Sequence, residues 1–343
     1  MLNFHHIALA KPIELETHAA ILLNQATGKI LFEKNSREST YPASLTKIAT
    51  CAYILQLRGE KIATLVEAEN EAVAIISSLA KKRSGYTLPS WWLDSGASHM
   101  AIKAGEMVSI EDLLSGAMIA SAGDACNILA MYIGGTVPEF MLDINAQLKE
   151  WGLSDTYFTN PHGLHHPDHR TTAFDLSLLC RRAFEIPKFR EIVQKVNYTR
   201  NKTNKSDPVT LYQSNALIKK GPYHYPPAIG IKTGYTEAAG YCLAAAAQKG
   251  GRCLLVILLG APSKEVLYKE AILLFETAFS EPVKRGLVLK AGPVAESLTL
   301  PGGSRAIRPL LEQDLILDYY PMEEPDVKMR IEWEAADLPI QKG

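Results

Sequence analysis

Tyr41-Pro42-Ala43-Ser44-Leu45-Thr46-Lys47 is followed by Ile48, Cys51, Ala52 and Leu55 at helical spacing, with Pro42 at the entrance. A helix is therefore expected to start near Ala43 or Ser44. Residues three apart on a helix share a face, which brings Lys47 within reach of the Ser44 hydroxyl. A serine hydroxyl is a poor nucleophile until a base takes its proton. A lysine does this once burial or a second nearby cation lowers its pKa. The helix N-terminus would add backbone N–H groups where an oxyanion forms. Taken alone, the quartet fits a capping serine and a solvated lysine equally well, so a second signal is needed.

That signal is Gly230-Ile231-Lys232-Thr233-Gly234-Tyr235-Thr236, about 185 residues downstream on an expected strand over 229–235. S-x-x-K followed by K-T-G is the pairing of an active serine with a substrate-binding strand. Lys232 would supply the second cation, and Thr233 a hydroxyl for a substrate carboxylate. Gly234 would allow close approach of a peptide. The amide of Tyr235 would join that of Ser44 as an oxyanion donor. Between the two motifs, Ser121-Ala122-Gly123-Asp124-Ala125-Cys126 opens a helical stretch.

With these motifs in this order, the chain resembles the low-molecular-mass penicillin-binding proteins, serine-type D-alanyl-D-alanine carboxypeptidases. Their three motifs are S-x-x-K, S-x-N and K-T-G. The resemblance also includes 108–114 and Asn160-Pro161-His162-Gly163-Leu164, and covers about residues 18–280. It implies a penicilloyl-serine transferase (β-lactamase-like) fold of the α/β class. An antiparallel sheet would be flanked by helices, with a helical subdomain and the site in the cleft between them. Carried over, Ser44 is the acylated nucleophile and Lys47 its base. Ser121 relays a proton to the leaving D-alanine, and Lys232 and Thr233 bind the terminal carboxylate. The resemblance implies no metal or organic cofactor. It implies peptidoglycan stem peptides as substrates, β-lactams as acylating inhibitors, and a bacterial periplasmic or cell-envelope location.

One departure stands out. Gly123 occupies the position of the family's asparagine, whose amide bridges a motif lysine and the substrate backbone. Positioning by Gly123 is expected to be weaker, and loss of one such contact commonly costs ~1–3 kcal/mol. Asn127 lies one turn further on, at an ordinary helix position in the family pattern. After Gly260-Ala261, where relatives often carry an arginine, Pro262-Ser263-Lys264-Glu265 follows, and Lys264 is not assigned that role.

The remaining sequence is consistent with a folded protein of this kind. The 343 residues are 47% hydrophobic and 21% charged, with a net charge of −1, which argues against a nucleic-acid or polybasic membrane-surface function. Five cysteines at irregular spacings in largely apolar runs read as buried free thiols, with a disulfide left open if the protein is exported. No apolar run reaches the ~18 residues of a transmembrane helix. Ala8-Leu9-Ala10 has the form of a signal cleavage site, without a charged n-region or an apolar core before it.

Hairpins are expected over 18–32 and over 241–247 with 253–259, and a helix over 263–279. Capping boxes at 109–112 and 172–175 open helices between them. A catalytic domain over 1–280 and a small β-rich domain over 281–343 follow, the latter with strands at 287–289, 297–300, 314–319 and 327–333. Residues 338–343 resemble a segment that relatives extend into a membrane-anchoring helix. Peripheral membrane association through a C-terminal anchor is then an option alongside a chain without one.

Other readings remain beside this one. A class A β-lactamase places a glutamate between the second and third motifs, and 158–170 has none. His162, His165, His166 and His169 cluster, but Pro161, Gly163 and Pro167 make the segment an irregular loop, unlike a ligand-bearing helix. A penicillin-binding scaffold with little turnover, an endopeptidase and a weak β-lactamase stay open.

Overall fold

The computed structural model describes residues 13–299, 306–325 and 330–332. The chain divides into two compact units between Phe279 and Ser280.

The first unit opens with β1 (Ala19–Asn24) and β2 (Ile30–Lys34), then a 3-10 turn at Ala43–Leu45 and α1 (Thr46–Arg58). Next come β3 (Leu65–Glu67), β4 (Ile75–Ile76), α2 (Ser78–Arg83), β5 (Leu93–Asp94) and β6 (Met107–Ser109). The helices α3 (Ile110–Ile119), α4 (Gly123–Gly134), α5 (Val137–Glu150), α6 (Ala173–Glu185) and α7 (Pro187–Val193) follow. The chain returns through β7 (Asn197–Arg200) and β8 (Val209–Tyr212) to β9 (Ala228–Thr236), β10 (Gly240–Lys249), β11 (Arg252–Ala261) and α8 (Lys264–Phe279).

Five strands make one antiparallel sheet in the order β2-β1-β11-β10-β9. Its central strands read as unbroken apolar runs because both faces are covered. Ile21, Leu23, Ala244, Ala246, Leu255 and Ile257 join the core shared with the helical lobe. Their strand neighbours Leu22, Leu243, Ala245, Val256 and Leu258 pack instead with Leu267, Leu274 and Phe275 of α8. The alternation is the two-residue period of a strand, resolved by helices on either side. β9 is left as an edge strand beside the helical lobe.

Local chemistry sets the helix starts. Ser109 accepts from Asp112 N and Thr172 from Asp175 N, as both capping boxes require. Thr136 caps α5 in the same way, with Pro138 in the first turn.

The helical run begins at Ala43, where the sequence placed it, but its first turn, which holds Ser44, is 3-10, and α1 proper begins two residues after Ser44. The cause is Ala43, whose φ of 48° lies in the left-handed region and turns the chain just before the nucleophile. Thr46 Oγ1 donates to Ala43 O at 2.9 Å and holds that turn. Gly163, with φ of +88°, packs against the same carbonyl, and a Cβ there would strike Ala43 O. Gly163→Ala should therefore lower stability by roughly 2–4 kcal/mol, a positive-φ penalty plus a backbone clash. A urea unfolding midpoint unchanged from wild type would contradict this packing.

In the second unit, Lys284–Leu289 pairs antiparallel with Leu315–Tyr319, Gly292–Pro293 with Leu310–Leu311, and Leu298–Thr299 with Ala306–Ile307. Most of the strand expected at 327–333, and all of 1–10 and 338–343, lie outside the described residues. All five cysteines are free thiols, four of them buried.

Candidate active site

β9, the 3-10 turn and the N-terminus of α4 converge on a cleft of about 820 Å³. Ser44, Lys47, Ser121, Gly123, Thr233, Gly234 and Tyr235 line it, so one site unites all the expected residues but one. The exception is Lys232, which is fully buried and lies behind Ser121 and Thr233.

The chemistry rests on two serine–lysine contacts. Lys47 Nζ donates to Ser44 Oγ at 2.9 Å and to the carbonyl of His162 at 2.5 Å. Lys232 Nζ donates to Ser121 Oγ at 3.0 Å and to Thr233 O at 2.7 Å. Lys232 thus orients Ser121 from behind the cleft wall. Thr233 does face the cleft, and its Oγ1 pairs with Ser214 Oγ at 2.8 Å. Ser214 carries no motif of its own and was invisible in the sequence.

Burial lowers the Lys47 pKa, only partly opposed by Cys126, Cys51 and Asp124 nearby. Burial pushes Lys232 well below the ordinary lysine value, and the charge of Lys47 pushes it further. The two lysines are buried together and their like charges repel, so the pair gives up a proton more readily than either lysine would in water. Two such groups titrate as a pair, and the state with Lys47 neutral is the one that can take a proton from Ser44.

The backbone around the site is held in uncommon conformations. Ala43 and Ser121 have φ of 48° and 62°. Non-glycine residues in this region cost of order 1–3 kcal/mol each, and here both set the direction of a reactive serine. Gly234 is needed for closeness: a Cβ there would lie 2.9 Å from Ser44 N and 3.0 Å from Ala43 Cβ. β9 therefore runs directly against the nucleophile's turn, with Tyr235 next along it, exposed and packed on Tyr241 at 4.5 Å.

Gly123 is walled in. A Cβ on it would lie 2.7 Å from Leu93 Cδ2, so the room an amide side chain would occupy is filled by leucine. Asn127 does not stand in for it. Its Nδ2 donates to Ala72 O and Trp91 O, at 3.0 and 2.8 Å, inside the helical lobe. Lys264 lines the cleft as well.

The histidines are dispersed among different contacts. His162 Nε2 meets Trp91 O at 3.0 Å, His169 Nε2 meets Thr46 Oγ1 at 2.8 Å, and His165 lies edge-on between Tyr41 and Tyr86. Among the described residues, no group of three or more His, Cys, Asp or Glu is placed to hold a metal ion. Lys81 and Asp94, 3.1 Å apart on the cleft wall, were missed, because residues 60–105 show no period that would place them.

The sheet, the helical lobe and the paired serine–lysine contacts define an active-serine enzyme of the penicilloyl-serine transferase fold. The D-alanyl-D-alanine carboxypeptidase family, peptidase family S11, matches residues 6–263, and the chain belongs to it. It is 30% identical over 337 residues to D-alanyl-D-alanine carboxypeptidase DacF of Bacillus subtilis (strain 168), covering 96% of this chain and 79% of that one. It is 33% identical over 261 residues to DacC of Escherichia coli (strain K12), covering 75% of this chain and 60% of DacC. Penicillin-binding protein 6B from Escherichia coli superposes with a TM-score of 0.67 at 27% identity, covering 88% of this chain and 85% of that structure.

Proposed function

We propose that this protein removes the terminal D-alanine from peptidoglycan stem pentapeptides through an acyl-Ser44 intermediate, in the bacterial cell envelope. The observation that carries this reading is the 2.9 Å contact from buried Lys47 to Ser44 Oγ inside the cleft. Catalysis belongs to residues 1–280, and 281–343 form a separate β-rich domain.

Neutral Lys47 takes the Ser44 proton as Oγ attacks the carbonyl of the penultimate D-alanine. The amides of Ser44 and Tyr235 receive the developing oxyanion. The C–N bond then breaks, and the departing amine needs a proton. Ser121 Oγ accepts from Lys232, so its own hydroxyl proton is available for that nitrogen and is replaced from the lysine pair. The paired hydroxyls of Thr233 and Ser214 bind the terminal carboxylate, with Lys232 behind them as a buried source of positive field. Water then hydrolyses the ester, with Lys47 again as base. β-Lactams acylate Ser44 by the same attack, their ring amide taking the place of the scissile peptide.

The test has two parts. Purified protein should release D-alanine from a pentapeptide ending in D-Ala-D-Ala. Incubation with benzylpenicillin should add one penicilloyl group, mapping to the proteolytic fragment that contains Ser44. Folded protein that releases no D-alanine, or an adduct on another residue, would overturn the proposal.

A further inference from the structure

An extended peptide bound in the cleft presents one backbone edge to β9 and the other to the opposite wall. That second edge carries carbonyl groups that lose water on binding and need donors. Away from β9, the cleft is lined by the Gly123 turn and the segment around β5. At Gly123 it offers no side chain, and Leu93 closes over the position with an apolar methyl group. The polar capacity of this wall lies one step away. Lys81 on α2 is 5% exposed and lines the cleft, and its ammonium donates to the carbonyl of Trp92, the residue before Leu93. Asp94, the residue after Leu93, holds the same ammonium at 3.1 Å and is itself partly exposed to the cleft.

The short parallel pairing of β4 with β5 brackets α2 and fixes this arrangement. An ammonium carries three donors. Trp92 O accepts one of them and Asp94 Oδ1 lies at ion-pair distance, so at least one remains for a ligand. The other contact that an amide at position 123 would make is already supplied, since Lys47 is held by the His162 carbonyl.

We propose that Lys81 is a substrate-positioning residue, whose ammonium donates to the backbone carbonyl on the acyl side of the penultimate D-alanine. In penicillins the equivalent acceptor is the carbonyl of the acylamino side chain. The assignment rests on the proposed acylation of Ser44. Burial lowers the Lys81 pKa from the ordinary lysine value, and the Asp94 carboxylate opposes part of that shift.

Two probes separate this role from a structural one. Benzylpenicillin has the acylamino carbonyl, and 6-aminopenicillanic acid shares the reactive ring but lacks it. Acylation rates at Ser44 are read from the mass of the adduct with time. A hydrogen bond to a charged donor corresponds to a preference of about 10- to 100-fold, so wild type should favour benzylpenicillin by at least that ratio. Lys81→Met should collapse the ratio to within about threefold, by slowing benzylpenicillin far more than the side-chain-free probe. Lys81→Gln, which retains an N–H donor of similar reach, should keep much of it.

A wild-type protein that acylates equally with both probes overturns the assignment, whatever the stability of the variants. An equal slowing of both probes in Lys81→Met also overturns it, since that marks a lysine that only stitches α2 to β5. If neither probe acylates wild type, it is the proposed chemistry of Ser44 that fails.

Discussion

Lys47→Met should slow acylation of Ser44 by about 10³-fold or more, close to the floor set by Ser44→Ala. General-base assistance is typically worth ~10²–10⁴-fold, and the geometry provides no substitute. Lys47 is the lysine in contact with Ser44 Oγ, while Lys232 is committed to Ser121 and Thr233 O. Methionine retains the length and apolar stem of the side chain, so the core around α1 is preserved. The pH profile carries an independent signature. Burial holds the Lys47 pKa below the ordinary lysine range, so the wild-type acylation rate should rise with pH through that lowered value and then level off. The residual rate of Lys47→Met should lack this limb. A variant that acylates within tenfold of wild type, or keeps the same pH limb, would place the base elsewhere.

What the sequence made legible follows from which contacts are local. The hairpins, the capped helices and the two serine–lysine motifs each depend on residues a few positions apart, and pattern alone locates them. The 3-10 form of the turn at Ser44 was not legible, because Ala43 at positive φ is clamped by Thr46 and by a glycine more than a hundred residues away. The contacts of Lys232 were out of reach for a related reason. Strand alternation says which face it takes, but not that Ser121 waits there within 3.0 Å. Gly123 was visible as a departure. The leucine that fills its space, and the lysine beside that leucine, come from an irregular segment that only tertiary structure brings to the cleft.

Acidification should destabilise the fold well before its carboxylates protonate, and the buried histidines His162 and His169 are the reason, of which His169 gives the sharper test. This ring is buried, stacked on Phe158 at 4.8 Å and bonded at both nitrogens. The Thr159 amide donates to Nδ1 at 3.0 Å, so Nδ1 must be an acceptor, and Nε2 is left to donate to Thr46 Oγ1 at 2.8 Å. Only the neutral imidazole satisfies both contacts. Burial, with His166, His165 and Lys47 adding to it, lowers its pKa to about 3. The unfolded chain takes up a proton near pH 6.5, whereas the native state refuses it until about 3. Stability contributed by this site is therefore present above 6.5 and lost as pH falls through that window. The loss is up to ~1.4 kcal/mol per pH unit, or about 5 kcal/mol in all, against a typical total of ~5–15 kcal/mol. His162, also buried and lowered, acts in the same direction, while Asp124 and Asp175, whose pKa values are raised, partly offset it near the acid end. Urea unfolding midpoints measured from pH 7 to 4 should fall steeply in wild type. In His169→Gln, which keeps a donor and an acceptor but cannot titrate, the slope should be shallower by about one proton. Equal slopes in the two proteins would show that His169 is not the group being protonated.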